Sequence, residues 1–183
     1  MRVRPMTARD VDEVAALSGQ LGYPATATQV QERFRVLAQD PDSSVFVAVA
    51  EGGRVAGWVH VLARRFLESD LHAEIGGLVV DAGARRRGVG KTLVMAAEEW
   101  AQEHGCATVR VRSNMKRVEA RPFYERMGYR VVKSQHVFER TVRTGPKCGG
   151  DEGDDVAPRP RGRRRRDVIT GAGRRALRSG DGA

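Results

Sequence analysis

The chain has few cysteines and no long apolar run. Its two cysteines, Cys106 and Cys148, belong to no CxxC pair and to no Cys/His cluster with zinc spacing. We therefore expect neither a disulfide framework nor a metal site. No stretch reaches the length of a membrane span, and residues 1–10 carry charges where a signal peptide would be apolar. The sequence thus predicts a cytoplasmic protein with no membrane partner.

Positive charge is in excess, and it is unevenly distributed. The net charge is +9 over 183 residues, and residues 144–183 hold ten Lys/Arg and six Asp/Glu, which leaves +5 for residues 1–143. A positive field attracts anionic ligands, either a coenzyme with several phosphates or a nucleic acid. Charge alone does not choose between these two classes.

Apolar periodicity predicts a layered α/β (α+β) domain over residues 1–143. The first strand, near residue 3, is followed by helices over 7–17 and 28–38 and by a hairpin of strands 45–50 and 55–62. After a polar connection, an apolar and therefore central strand is expected over 72–80. The remaining expected elements are a helix over 88–104, a strand over 108–112, a helix over 117–127, and strands over 129–133 and 136–140.

The composition changes after residue 142. Residues 144–183 are rich in Gly, Arg, Asp and Pro and show no sustained periodicity, so we expect a disordered tail. Its basic run, residues 159–166, is of a kind that grips phosphate backbones, but it has no aromatic residue to stack on bases. Nucleic acid is therefore not an expected partner, although binding through this tail is kept as an alternative function.

The only Gly-rich loop that joins a central strand to a helix lies between Leu78 and Lys91. Gly88 and Gly90 allow an anion close to the backbone, the first helical turn offers unpaired N–H groups, and arginines 85–87 add charged donors. The spacing is not that of a Walker A loop or of a GxGxxG dinucleotide loop. The alternative is a tight turn with solvated arginines.

Three segments resemble the GNAT superfamily of acyl-CoA N-acyltransferases. Residues 85–90, Arg-Arg-Arg-Gly-Val-Gly, fit its [Q/R]-x-x-G-x-[G/A] motif, and the preceding strand 74–80 is also similar. Residues 113–129, with Asn114, Ala120 and Phe123-Tyr124 in place, resemble its second conserved segment. The matches run in the family's element order over about residues 1–142.

The resemblance implies a mostly antiparallel mixed sheet of six to seven strands, about four helices on both of its faces, and a splay between the fourth and fifth strands. Acetyl-CoA is the implied co-substrate: its pantetheine would pair with the strand near Leu78 and Val80, and amide donors on Val79 or Val80 would polarise the thioester carbonyl. The implied coenzyme-binding residues are Leu78, Val79, Val80, Arg85, Arg86, Arg87, Gly88, Val89, Gly90, Lys91, Asn114 and Tyr124.

Acetyl transfer to an amine needs a base for the amine and an acid for the leaving thiolate. By resemblance, Tyr124 is the general acid and Glu74 the general base, and His72, on the same strand face, is the reserve base. Each of these residues has an alternative, structural role. Tyr124 could pack against the sheet, Glu74 could form an ion pair, and Asn114 could cap a helix N-terminus.

The string around Asn114 is similar to that of small-amine and aminoalkylphosphonate acetyltransferases. Arg121 stands where that pattern has a histidine, which argues against a metal-assisted variant. We expect the acceptor to be the primary amine of a small molecule, with an aminoglycoside or a protein amine as alternatives. A non-catalytic acyl-CoA sensor and a homodimer are left open.

Overall fold

The structure, a computed structural model, describes residues 1–142. Cys148 and the basic run lie outside the described residues, so the expected tail stays a prediction. The strands are β1 (Arg2–Pro5), β2 (Ser43–Val49), β3 (Val55–Phe66), β4 (Ser69–Val80) and β5 (Val109–Val111). The helices are α1 (Val11–Gln20), α2 (Ala27–Leu37), α3 (Val89–Glu103) and α4 (Ala120–Arg126), with 3₁₀ turns at Ala8–Asp10 and Ala82–Ala84.

One compact unit, Met1–Ser134, contains all of these elements. Its five strands lie in chain order, β1 to β5; the first four pair antiparallel, and β4 pairs with β5 in parallel. This confirms the expected mixed, mostly antiparallel sheet with four helices and a central β4. Among residues 1–142, no helix combines the length and the apolar character needed to cross a membrane.

The sheet opens between β4 and β5. Their pairing covers only three residues of each strand and ends at Ile75 opposite Val111. Within the described part of the chain, residues 76–80 therefore have no strand partner on the β5 side, while their other edge continues to pair with β3. The expected splay between the fourth and fifth strands is present.

A β-bulge at Gly76 precedes the opening. Val61 pairs with Ile75 but His60 pairs with Gly77, so Gly76 is an extra residue in β4. An extra residue reverses the alternation of the side chains that follow it. Ile75 and Leu78, three positions apart, consequently pack on the same side of the sheet.

A core lies on each side of the sheet. The first, which we call the α3 face, contains Val59, Val61 and Ile75 under Leu93 and Val94 of α3. The second, the α1–α2 face, is formed by the residues Val11, Val14, Leu17, Val30, Val47, Val55 and Val79. Both helix layers are amphipathic, so burial of their apolar stripes holds them against the sheet.

The helix ends follow from local chemistry. Gly128 has φ 87°, and Tyr129 N–H donates to Tyr124 O at 3.0 Å, which is a Schellman ending of α4. At the N-terminal turn, the carboxylate of Asp10 accepts from Thr7 N–H at 2.7 Å and from Arg4 through two bonds of 2.7 Å. The hydrogen bonds from Arg4 lower the pKa of Asp10 to about 2.

The structure differs from the sequence prediction in three places. β3 and β4 continue through the expected polar connection, and Phe66 pairs with Ser69. α4 begins at Ala120 rather than near 117, because the N–H of Ala120 closes a turn on the carbonyl of Arg117. The prediction of strands over 129–133 and 136–140 is wrong. Residues 112–142 contain no strand, and the described sheet has five strands instead of six to seven.

The residues of the first missing strand are exposed. Val131 is 61% and Val132 is 71% accessible, so neither is buried against a core. Alternating apolar residues form a strand where a sheet edge can accept their hydrogen bonds, and β5 offers an edge of only three residues. Residues 135–142 belong to a second unit and contain no helix or strand.

Candidate active site

The open edge of β4 forms one wall of a cleft of about 1370 Å³. The opposite wall comes from the end of β5, the β5–α4 connection and α4, and the α1–α2 loop contributes residues 20–23. The β4–α3 connection closes one end with Ala84, Arg85, Arg86, Gly88, Val89, Gly90 and Lys91. The splay of the sheet thus becomes a groove that a long ligand can enter.

The backbone of the β4–α3 connection offers a row of hydrogen-bond donors. Within residues 1–142, none of the N–H groups of residues 85–91 donates a hydrogen bond to another protein group. Arg86 has φ 61° and Gly88 has φ 82°, and α3 begins directly after Gly88. Free N–H groups at a helix start, with the positive end of the helix dipole, are suited to a phosphate.

The two glycines of this loop serve different purposes. At Gly88 an added Cβ would meet nothing within 4 Å, so glycine is needed there for its positive φ. At Gly90 a Cβ would lie 3.2 Å from Cζ of Phe123 and 3.6 Å from Cγ2 of Val80. The absence of a side chain at Gly90 therefore lets α3 pack closely against Phe123 of α4.

The unpaired edge of β4 presents alternate amides. The N–H of Asp81 donates to Ala56 O of the neighbouring chain segment at 2.8 Å. Because the hydrogen-bonding direction alternates along a strand, Val79 also faces β3, and the amides of Leu78 and Val80 face the cleft. Leu78 and Val80 are thus available to an extended ligand, whereas the amide of Val79 is directed away from it.

Of the three consecutive arginines, two line the cleft. Arg85 and Arg86 do so with Lys91, and the Nε of Arg85 donates to Val80 O at 3.4 Å. Arg87 is exposed and does not line the cleft, and the side chain of Val89 is buried in the α3 face. Val89 therefore presents only its backbone to the cleft.

The α1–α2 loop is attached to both walls of the cleft. The side chain of Gln20 donates to Asp81 at 3.2 Å and accepts from Ala82 N–H at 3.0 Å, and Arg117 donates to the carbonyl of Leu21. Gln20 could not be identified from the sequence, because it lies 61 positions before Asp81 and belongs to no motif. These contacts hold the loop over the cleft.

Tyr124 lines the cleft from α4. Its ring makes edge contacts with Phe123 at 5.0 Å and with Tyr129 at 5.5 Å between centroids. Burial raises the pKa of Tyr124 to about 12, although the charge of Arg117 acts in the opposite direction. The hydroxyl is therefore protonated at neutral pH and can donate a proton.

Tyr129 is a different kind of tyrosine. Its hydroxyl donates to the Glu98 carboxylate at 2.8 Å, and it does not line the cleft. Burial and the bond to Glu98 both raise its pKa. Tyr129 thus ties the end of α4 to α3.

Glu74 and His72 are buried on the α1–α2 side of β4, with 8% and 2% of their surfaces exposed. The carboxylate of Glu74 lies 3.3 Å from Nη2 of Arg112. His72 Nδ1 lies 2.9 Å from Asp70 O and its Nε2 lies 3.3 Å from Arg110. Neither Glu74 nor His72 lines the cleft, but Arg112 does. Glu74 is therefore adjacent to the cleft through its ion-pair partner.

Asn114 lines the cleft near the end of β5. Its Oδ1 accepts from Lys116 N–H at 2.9 Å, and its carbonyl accepts from Arg117 N–H at 2.9 Å. Asn114 thus stabilises a turn several residues before α4 rather than capping the helix. Elsewhere, residues 1–142 contain no group of three or more His, Cys, Asp or Glu side chains arranged to hold a metal ion.

The comparisons with known proteins agree with this geometry. The family model of the acetyltransferase (GNAT) family matches residues 13–129, so the chain belongs to this family. The expectation drawn from the motifs is confirmed at the level of family and fold.

Individual relatives share only part of their sequence with the chain. Identity is 37% over 67 residues with an aminoglycoside N(6')-acetyltransferase type 1 of Klebsiella aerogenes, covering 35% of this chain and 44% of that protein. It is 28% over 102 residues with an uncharacterised N-acetyltransferase, YhdJ, of Bacillus subtilis, covering 55% and 70%. The chain thus spans less than half of the first relative.

Among solved structures, the fold is similar to that of AAC(6')-Iy in complex with the bisubstrate analogue CoA-S-monomethyl-acetylneamine. The TM-score is 0.69 at 18% identity, and the alignment covers 77% of this chain and 98% of that one. At this identity, the similarity supports the fold alone.

Proposed function

We propose that the protein transfers the acetyl group of acetyl-CoA directly to the primary amine of a small molecule, with Glu74 as general base and Tyr124 as general acid. The observation that carries this proposal is the row of unbonded N–H groups over residues 85–91, beside the unpaired edge of β4. Both lie on the same cleft as Tyr124.

The donor groups fit the two polar parts of the coenzyme. The amides of residues 85–91, with Arg85, Arg86 and Lys91, suit a diphosphate, and the free amides of Leu78 and Val80 suit the pantetheine arm as an added strand. The coenzyme supplies an activated acetyl thioester. Asn114 has an amide nitrogen left for the same arm, since its Oδ1 already accepts from the backbone.

The two proton transfers are assigned to residues on different sides of the cleft, Glu74 and Tyr124. The amine forms a bond to the thioester carbonyl carbon and loses one proton, and the carbon–sulfur bond breaks as the sulfur takes one proton. Tyr124, protonated at neutral pH, donates the second proton. Glu74, which Arg112 separates from the cleft, accepts the first through a bridging water. His72 is the reserve base, and its Nε2 lies 3.3 Å from Arg110.

Amide hydrogen exchange tests the coenzyme site directly. Because the amides of residues 85–91 have no protein acceptor, they should exchange quickly in the free protein and become protected when acetyl-CoA is added. The β2–β3 turn, residues 51–54, serves as an internal control whose exchange should not change. Pantetheine, which lacks the diphosphate, should protect β4 but not residues 85–91. Unchanged exchange at 85–91 under saturating acetyl-CoA would refute the site.

Release of free thiol from acetyl-CoA, measured with a panel of amines, tests the activity. Turnover separates the enzyme from a non-catalytic acyl-CoA sensor, which would bind the coenzyme and release no thiol. An aminoglycoside or protein amine as acceptor, the cytoplasmic location and a homodimer stay predictions.

A further inference from the structure

The charges that line the cleft are almost all positive. Glu119 is the one acidic residue of the described chain that lines it. Four of the basic residues lie towards α3 and α4, namely Arg85, Arg86, Lys91 and Arg126, and Lys91 and Arg126 also share a smaller adjoining cavity. The several phosphates of the coenzyme account for the charge of this group.

Three further basic residues, which we call the distal basic group, line the cleft from the segment between β5 and α4: Arg112, Lys116 and Arg117. Arg112 follows β5, and the other two belong to the β5–α4 connection. The donors for the diphosphate are over residues 85–91, and the first group offers further charge for the remaining phosphate, so the distal basic group is left for another ligand. A cluster of like charges around a groove is unfavourable unless a ligand neutralises it.

The partners of the distal basic group leave positive charge over. Glu74 neutralises Arg112 at 3.3 Å, but Arg117 donates to a neutral carbonyl, that of Leu21. Lys116 is exposed and has no ion pair within residues 1–142. With Glu119, which belongs to the same connection and lines the cleft, about one positive charge thus remains in this part of the cleft.

The distal basic group is close to the reacting atoms. Arg117 and Tyr124 line the same cleft, and the charge of Arg117 is felt by the Tyr124 hydroxyl. A small acceptor whose amine meets the thioester near Tyr124 would therefore place its other end beside this group.

We infer that the acceptor amine carries an anionic group, a carboxylate or a phosphate, which binds the distal basic group. This inference rests on the proposed function. An amine with a second positive charge would be repelled by the same residues, so polycationic acceptors such as aminoglycosides are poor substrates. The chain would then differ in substrate class from the aminoglycoside acetyltransferases that share its fold.

Matched sets of amines test the inference. Each set keeps one carbon skeleton and varies the end opposite the amine, for example β-alanine, β-alaninamide and 1,3-diaminopropane, or phosphoethanolamine and ethanolamine. The kcat/KM of the anionic member should exceed that of the neutral one by about tenfold and that of the cationic one by more. The preference should shrink in high salt, because exposed charges are screened.

A charge reversal identifies the residue responsible. Lys116→Glu should raise the KM for anionic amines by about tenfold, relieve the exclusion of cationic ones, and leave the dissociation constant of acetyl-CoA within about twofold. The matched control is Arg33→Glu, an exposed reversal on α2 that does not line the cleft. It should change none of these quantities.

The possible failures are distinguishable. Absence of acetyl-CoA binding, or of protection at residues 85–91, overturns the proposed function itself. Coenzyme binding with equal or better turnover of neutral or cationic amines, or with no turnover of any anionic member, overturns only the inference about the acceptor. An unchanged amine preference in Lys116→Glu overturns the assignment to the distal basic group.

Discussion

Removal of a single hydroxyl, in Tyr124→Phe, tests the proton donor. At pH 7, a tyrosine with a pKa of about 12 is ionised in only about one molecule in 10⁵, so the group is poised to donate. A positioned general acid contributes about 10²- to 10⁴-fold to the rate. We therefore expect kcat for thiol release to fall by about that factor.

We expect this substitution to have little effect on stability or on coenzyme binding. The Tyr124 hydroxyl makes no hydrogen bond within residues 1–142, and the ring contacts with Phe123 and Tyr129 are kept by phenylalanine. The free energy of unfolding should change by less than about 1 kcal/mol. The dissociation constant of acetyl-CoA should also stay within about threefold, since the proposed contacts to the diphosphate and the pantetheine arm are made by other groups.

Tyr129→Phe is the matched control, because it removes a hydroxyl that donates to Glu98 at 2.8 Å outside the cleft. It should destabilise the fold by about 1.5–3 kcal/mol, as expected for a hydrogen bond to a charged group, and leave kcat unchanged. Steady-state thiol release and urea unfolding on both variants give the comparison. If Tyr124→Phe keeps kcat within about threefold of the parent, the general-acid role is wrong.

Three further predictions concern the scaffold. In Gly57→Ala the new Cβ would lie 2.6 Å from the carbonyl oxygen of Val79, so strands must separate and urea unfolding should show a loss of about 2 kcal/mol or more. In Gly88→Ala there is space, but φ is 82°, so the loss should be about 1 kcal/mol, with weaker acetyl-CoA binding in calorimetry. The pKa of Asp10 is lowered from 3.8 to about 2, so its pairing with Arg4 stabilises the fold above pH 3.8 and is lost as pH falls towards 2. The pairing contributes about 2 kcal/mol to the free energy of unfolding, and Asp10→Asn should flatten that part of the acid unfolding curve. A larger loss of stability in Gly88→Ala than in Gly57→Ala, or an unchanged acid unfolding curve in Asp10→Asn, would contradict these predictions.

Much of the coenzyme side could be predicted from the sequence, because its determinants are local. An apolar run that ends in a polar, Gly-rich loop before an amphipathic helix defines a strand, a turn and a helix start within about 25 residues. The positive φ of Gly88 and the helix start at Val89 agree with that pattern. The close packing of Gly90 on Phe123 did not follow, since 33 positions separate the two residues.

The acceptor side depends on contacts between distant segments. Gln20 with Asp81, and Arg117 with Leu21, carry no sequence signal, because any polar side chain at those positions is equally consistent with a solvated surface. The ion pair of Glu74 with Arg112 was foreseen only as an alternative to its role as base. The last two strands were wrong because alternation alone does not guarantee a sheet edge to join.

The single extra residue at Gly76 has an effect out of proportion to its size. Strand faces and backbone donors both repeat every two residues, so if Gly76 paired with His60 instead of bulging out, odd and even positions would be exchanged for the rest of β4. Val79 would turn its amide outward in place of Leu78 and Val80, and the valine now buried against α1 would move to the opposite layer. The pairing at this single position therefore decides which peptide groups of β4 an extended ligand meets.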